Sequence, residues 1–374
     1  MNNKNKIITL VSNNYWTLYK FRYDVIEMFV KQGYKVNLIA HKDKYHLNFD
    51  SEKINKYFIP IEPRSTNILI ELKTFISLYN IYKNLKTDII IHFTIKPNIY
   101  GSILARYFKI KSISFITGVG YIFTSKKYFL RKIIALLYRY SLKNNYEVWF
   151  TNNSDKKLFL KNKIINKSQK IDIIPGAGIN FCNTSNKKIK KDKSNKIKFL
   201  MISRVIKDKG VLEFIKTAEH FKSQAKLEFT LIGSYNKDIT GSIDYNILQE
   251  AINNKIITYY NYQDNILEYI EQSTCIVHPS YREGISTILL ESASLKKPII
   301  TTNVPGCIDV IPDNNYGIIC KPKDYKSLIL AIEKFLTLTT DQIDSMVDNT
   351  YKYVKSNFNR KDILKKYEYI ITNC

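Results

Sequence analysis

The sequence predicts an α/β fold made of two successive halves, and three observations predict it. The chain has 374 residues. Single cores stop growing at roughly 250–300 residues, so two domains are expected. Short apolar strand runs alternate with helical patterns, as in parallel sheets joined by crossover helices. The alternation is interrupted once, by the polar and basic stretch NTSNKKIKKDKSNK (Asn183–Lys196), and then restarts.

The first half opens with a strand, KIITLVS, then NNYWTLYKFR read as a loop, and then a helix, YDVIEMFVKQG, closed by Gly33. With the next strand, KVNLIA, this is a strand–helix–strand unit. A helix around Leu69–Leu85, the strand DIIIHFT, a helix around Ile99–Phe108 and the strand SISFIT follow. YEVWFTN and KIDIIPGAG read as later strands of the same half. The second half reads as strand IKFLMIS, helix GVLEFIKTAEHFK, strands LEFTLIG and KIITYYN, and helix NILEYIEQS. Strand CIVHPS, a helix from Thr287, and strands KPIITTN and GIICKP complete it. The expected domains are 1–182, a linker 183–196, and 197–340. Helices over 341–374 either stay with the second half or cross back to the first. In open parallel sheets ligands bind beyond the carboxyl ends of strands, so two such domains would face a shared cleft with those edges.

Hydrophobic content of 45% and charged content of 24% describe a folded chain. The net charge of +25 has two readings. Lysine, asparagine and isoleucine abound throughout, which is compositional drift; or the surface attracts something anionic. Five scattered cysteines without a C-x-x-C pair argue against a zinc site or disulfide framework and suit a reducing cytoplasm. The apolar run IITLV near the start is short for a signal peptide. No run approaches the ~18–20 residues of a membrane span, so any membrane contact is from the side. The best candidate is Ser125–Asn145, where an apolar surface (Phe129, Leu130, Ile133, Leu136, Leu137) is surrounded by lysines and arginines. An interfacial helix has this pattern, and so does a helix packed on a sheet with a basic outer face.

Chemistry concentrates in two loops that follow strands. In HPSYREGISTILLES (His278–Ser292), Ser286 or Thr287 can cap the helix TILLESASLKK. Glu283 then lies in the loop and Glu291 about one turn inside the helix. The amides of Gly284, Ile285, Ser286 and Thr287 at the helix start suit a phosphate or hydroxyl-rich ligand, and Gly284 lets it approach the backbone. The plain alternative is an ordinary loop with a solvated Glu283. Glu291, however, sits among Ile288, Leu289, Leu290 and Ala293, where a carboxylate needs a partner. In SRVIKDKG (Ser203–Gly210), Arg204 and Lys209 leave a strand end together and can converge on one diphosphate. Alternatively they are two of 58 basic residues.

Together, "SR-x4-KG" and "PS-x2-EG-x6-E" resemble the retaining nucleotide-sugar glycosyltransferases of family four, which have the GT-B fold of two Rossmann-like domains. IIPGAGIN is similar to the family's "IPNGVD" stretch, and KPIITTNVPGCIDVIPDNNYGIIC to its "KPVVATDVGG…GxLV" segment. In the first half, FTIKPNIYGSILAR and ITGVGYIFT resemble a bacterial subgroup that builds capsule, O-antigen or N-glycan precursors on polyprenyl diphosphate.

The resemblance implies roles. Arg204 and Lys209 match the basic pair on the donor diphosphate. Glu291 matches the glutamate on the ribose hydroxyls, and Glu283 the one near the transferred sugar. Gly284, Ile285 and Ser286 match the loop lining sugar and phosphates. The sequence also departs from the pattern. The loop after the first strand has no glycine, so Arg22 either replaces that contact, reaches an acceptor phosphate or is a surface residue. For the first-domain histidine that touches the donor sugar, His92 and Lys96 are both candidates, and His278 is expected to be a packing residue. SASLKKP lacks a glycine before Pro298. There is no D-x-D triplet, and Arg204 and Lys209 can supply the charge, so no metal is expected to be required. No G-x-G-x-x-G fingerprint is present.

The implied function is transfer of a sugar, often an N-acetylhexosamine in that subgroup, from a nucleotide-sugar donor, expected to be UDP-linked, to a polyprenyl-diphosphate-linked saccharide. The implied location is the inner face of the cell membrane, on an anionic membrane surface and without nucleic acid. A UDP-sugar epimerase of the same fold, a basic nucleic-acid-binding protein and a lectin-like module are the rival readings. The absence of zinc-finger spacing and of an RNA-recognition aromatic motif counts against the second rival.

Overall fold

The computed structural model describes residues 6–62, 65, 67–119, 128–181 and 196–372. Cys182, Cys374, residues 183–195 of the expected linker and residues 125–127 of the expected basic helix lie outside them. The chain divides into two compact units, Met1–Ala177 with Lys361–Cys374, and Gly178–Arg360.

The first unit is built on seven parallel strands: β1 (Ile7–Asn14), β2 (Lys35–His41), β3 (Ile54–Phe58), β4 (Ile89–Phe93), β5 (Lys111–Ile116), β6 (Glu147–Phe150) and β7 (Ile171–Ile173). Their order is β3-β2-β1-β4-β5-β6-β7. The central strands are continuous β-branched and aromatic runs because helices cover both faces of the sheet. In β4 all five residues are buried, and Leu10 of β1 pairs with Leu38 and Ile91 on its two sides. The helices are α1 (Tyr15–Lys31), α2 (Ile68–Asn84), α3 (Ser102–Tyr107), α4 (Tyr128–Leu142) and α5 (Asn153–Lys161). A π-helical turn, Pro97–Gly101, precedes α3.

The expected loop NNYWTLYKFR is not a loop. β1 runs to Asn14, whose side chain accepts the Thr17 amide at 3.0 Å and so caps α1 directly. Tyr15, Leu18, Arg22, Val25, Ile26 and Phe29 then fall on one buried stripe. The Tyr15 hydroxyl donates to the Leu38 and Tyr57 carbonyls.

The second unit has six parallel strands: β8 (Ile197–Ile202), β9 (Leu227–Ile232), β10 (Thr258–Tyr260), β11 (Cys275–His278), β12 (Ile299–Thr302) and β13 (Ile318–Cys320). Their order is β10-β9-β8-β11-β12-β13. Its helices are α6 (Val211–His220), α7 (Tyr245–Asn253), α8 (Ile266–Gln272), α9 (Thr287–Ser294), α10 (Tyr325–Thr337) and α11 (Thr340–Asn357). A Thr339–Gln342 capping box starts α11, and Val354 and Phe358 pack it into a cluster with Leu289 and Leu290 of α9. The last helix, α12 (Arg360–Thr372), belongs to the first unit. There Tyr367 is fully buried, its ring 5.2 Å from Trp149 and perpendicular to it.

In each sheet the strand order reverses once, between β1 and β4 in the first unit and between β8 and β11 in the second. At such a point the loops leaving the two strands diverge and open a crevice at their carboxyl ends.

Candidate functional site

In the second unit, the two loops that flank the reversal carry the basic and acidic residues singled out by sequence. After β8 the chain passes Arg204 and makes a 3-10 turn, Lys207–Lys209. It then reverses at Gly210, whose φ is +77°. A Cβ there would stand 2.1 Å from the Pro279 carbonyl oxygen, so the β11 loop can press against the start of α6 only because this residue is glycine. The Tyr281 amide donates to the Asp208 carbonyl at 2.9 Å, and the Tyr281 hydroxyl to Glu213 of α6 at 2.7 Å. The two loops are therefore sewn together by backbone as well as side chain.

At their junction the Lys209 ammonium meets Glu283 Oε1 at 2.5 Å. His278 Nε2 meets the same oxygen at 3.0 Å. The side chains of Lys209 and Glu283 are 18% and 13% exposed, and that of His278 is 3% exposed. A carboxylate only accepts hydrogen bonds, so His278 presents Nε2–H to it. Burial alone would push the Glu283 carboxyl up. The Lys209 charge and the His278 hydrogen bond outweigh burial and hold it well below the usual carboxylate range. Arg204 stands beside this cluster; desolvation of its guanidinium lowers its pKa, and the charges of Glu283 and Asp208 oppose that shift. An ammonium has three donors. Glu283 occupies one, so Lys209 can hold this carboxylate and an incoming oxyanion together.

A third loop, after β12, supports the glutamate. The Glu283 amide donates to the Pro305 carbonyl at 3.0 Å and the Ser286 amide to Gly306 at 3.2 Å. Gly306 has φ +79°, and a Cβ on it would lie 2.5 Å from the Glu283 carbonyl oxygen. Ser286 caps α9 through Leu289 N and also touches His278 Nε2 at 3.2 Å. The Ser286 amide is thus engaged inside the unit, and its hydroxyl oxygen accepts at the start of α9. Gly284 and Ile285 lie half-buried on the outer turn of the loop, and Glu291 is half-buried inside α9.

Two first-unit candidates sit in settings that suit structure. His92 is fully buried, with Tyr82 OH 2.9 Å from Nε2 and Ser102 Oγ 3.3 Å from Nδ1. Burial pushes its pKa down to about 3, so the ring is neutral at physiological pH. Lys96 is also buried. It pairs with Glu71 of α2 and donates to the Glu62 and Ser65 carbonyls at 2.5 and 2.9 Å, so three acceptors take its three donors. It ties the start of α2 to the π-helical turn. Arg22, read as a surface or acceptor-facing residue, is 4% exposed. Its guanidinium lies 4.7 Å from the Phe93 ring centroid and 4.9 Å from that of Phe115.

Sequence reasoning missed Tyr281, Gly306 and the part played by His278. A Pro-Gly turn signal marked Gly306, but nothing local announces that it backs onto Glu283.

Comparison with known proteins gives two family matches. The model described as "Glycosyl transferase 4-like" matches residues 6–152, and "Glycosyl transferases group 1" matches 183–353. A relative from Campylobacter jejuni, N,N'-diacetylbacillosaminyl-diphospho-undecaprenol alpha-1,3-N-acetylgalactosaminyltransferase, is 26% identical over 96% of this chain and 97% of its own. An Escherichia coli UDP-Gal:alpha-D-GlcNAc-diphosphoundecaprenol alpha-1,3-galactosyltransferase is 24% identical over 90% of each chain. An Anabaena protein solved in complex with UDP and glucose superposes with a TM-score of 0.76 at 12% identity, covering 99% of this chain and 100% of its own.

Proposed function

Since the chain belongs to the GT-B glycosyltransferases, joining a 4-like domain to a group 1 domain, we propose that it is a retaining, family-four enzyme. It moves a sugar from a UDP-linked donor to a saccharide carried on polyprenyl diphosphate. The observation that carries this reading is the Lys209–Glu283–His278 cluster, with Arg204 beside it, at the strand reversal of the second sheet. The lipid-linked acceptors of the Campylobacter and Escherichia relatives and the UDP of the Anabaena structure support the substrate classes.

In this reading Arg204 and the remaining donors of Lys209 take the diphosphate oxygens. Their charge stabilises the leaving group as the bond to the sugar carbon breaks. Glu283, held ionised, accepts hydrogen bonds from hydroxyls of the transferred sugar, and Glu291 from the ribose. Gly284 and Ile285 line the donor. The acceptor hydroxyl attacks from the face that the diphosphate leaves, and a departing diphosphate oxygen takes its proton. No protein base and no metal ion are required. His92 and Lys96 are assigned to the framework of the first unit. Among the described residues no helix is long and apolar enough to cross a membrane. We place the enzyme peripherally on the inner membrane face, where a lipid-linked acceptor is reached from the side.

A screen of UDP-, GDP- and ADP-sugars for thermal stabilisation, followed by transfer assays and determination of the product anomer, tests the reading. Stabilisation by a UDP-sugar and a product of unchanged anomeric configuration are expected. An inverted product would reject the mechanism. Consumption of the donor without an acceptor would favour an epimerase, and salt-sensitive nucleic-acid binding without nucleotide-sugar affinity would reject the whole assignment.

A further inference from the structure

The helical layer formed by α2, α3 and α4 on the first unit exposes apolar side chains where a soluble surface carries polar ones. On α2, Ile68 (81% exposed), Leu69 (69%), Leu72 and Ile76 stand in solvent. On α4, Phe129 (77%), Leu136 (63%), Ile133, Leu137 and Tyr140 do the same at helical spacing. The opposite side of α4 is properly packed, with Tyr138 and Leu142 buried in a core cluster. Of the two readings of this helix, the structure therefore contains parts of both: it docks on the sheet, and it also turns an apolar stripe outward. α3 lies between, in contact with both helices. Arg106 of α3 donates to the Tyr140 carbonyl at 3.0 Å and stacks over the Tyr140 ring, tying α3 to α4. Lys96 ties the start of α2 to the turn that leads into α3.

The charges of this layer are of one sign. α3 and α4 contain no acidic residue, and α2 contains Glu71 alone, which pairs with Lys96. Lys73, Lys132 and Arg139 are exposed around the apolar side chains. Exposed apolar side chains rimmed by polar groups mark an interaction site, and the rim of these two stripes is cationic. A second copy of the chain fits poorly, because a two-fold contact would set the same basic rim against itself. An anionic lipid surface complements both features: headgroups meet the cations and the interface accepts the apolar side chains.

We propose that α2 and α4 together, not α4 alone, form a two-helix platform that docks the first unit on anionic membranes. Two separated contacts also fix the unit's orientation, which one interfacial helix leaves free to roll. The proposal deepens the reading of a lipid-linked acceptor and rests on it for its purpose, though not for its test.

The test is flotation of the full chain with vesicles of phosphatidylcholine alone or mixed with phosphatidylglycerol. The parent protein is compared with Leu69→Ser/Leu72→Ser on α2, Phe129→Ser/Leu136→Ser on α4, and Lys132→Glu. Binding to the mixed vesicles that weakens with salt is expected, with each variant losing roughly tenfold or more in affinity. Melting temperature and nucleotide-sugar stabilisation, both measured without vesicles, should stay unchanged and show that the variants fold. The proposal is overturned if the parent ignores anionic vesicles, or if either serine pair binds them like the parent. It is equally overturned if the variants abolish self-association in sedimentation and leave vesicle binding intact. Vesicle binding without any nucleotide-sugar affinity would sink the transferase reading and leave the platform standing.

Discussion

Replacing Lys209 with methionine removes one charge from the Lys209–Glu283–His278 cluster and keeps the volume of the side chain. Breaking a buried ion pair costs about 3–5 kcal/mol and breaking an exposed one about 1 kcal/mol or less. With 18% and 13% of the two side chains exposed, Lys209→Met lies nearer the buried limit, at about 2–3 kcal/mol. For a unit of this size that is a fall in Tm of roughly 5–10 °C. Glu283→Gln in the same background removes the stranded charge and should restore most of the loss, giving a coupling of about 2 kcal/mol in a double-mutant cycle. Donor affinity should behave differently. A charge-assisted contact to a phosphate contributes about 1.5–3 kcal/mol, so both the single and the double variant should bind a UDP-sugar roughly 10- to 100-fold more weakly. Calorimetric melting and titration calorimetry with the donor read the two effects separately. Additive stabilities would refute the energetic importance of the pair. A Lys209→Met protein with parental donor affinity would refute the placement of the diphosphate.

Further tests probe the framework. Gly210→Ala adds a Cβ at 2.1 Å from a backbone oxygen at positive φ, whereas Gly241→Ala, at φ +91°, meets nothing within 4 Å. The second should cost about 1–2 kcal/mol, the first clearly more, with loss of donor binding; thermal melts compare them. Glu283 is held below its ordinary pKa of 4.5, so its stabilising contribution is complete above that pH and fades as the pH falls below it. Acid titration of Glu283→Gln against the parent should show a shallower decline there. His92 is neutral in the fold, with its pKa lowered from 6.5 to about 3. Between those values the unfolded chain binds the extra proton, so each unit drop in pH lowers stability by up to about 1.4 kcal/mol. A His92→Gln protein should lose that slope in acid unfolding. Lys96→Met strands Glu71 and releases the Glu62 and Ser65 carbonyls, so hydrogen exchange should quicken in the first turn of α2 while donor stabilisation persists.

Much of the fold was readable because its strands are short β-branched runs separated by amphipathic helices, a pattern that depends on near neighbours only. The start of α1 was not. Asn13 and Asn14 look like loop residues until one sees Asn14 capping the helix, and Tyr15 is buried through partners on β2 and β3 that lie far along the chain. Arg204, Lys209 and Glu283 stood out by their position after strands, and Lys209 and Glu283 do meet. The support of Glu283 was not legible, since Gly306 approaches it from another strand's loop. His92 and Lys96 illustrate the same boundary. Their partners Tyr82 and Glu71 come from α2, and nothing local to β4 announces them.

The return of α12 to the first unit bears on the order of synthesis. The ribosome completes Gly178–Arg360 before it has made Tyr367, which closes over Trp149 and Phe115. The strands of the amino-terminal unit are thus made long before the helix that covers them. A chain truncated before Arg360 would leave the Trp149 ring without its Tyr367 cover.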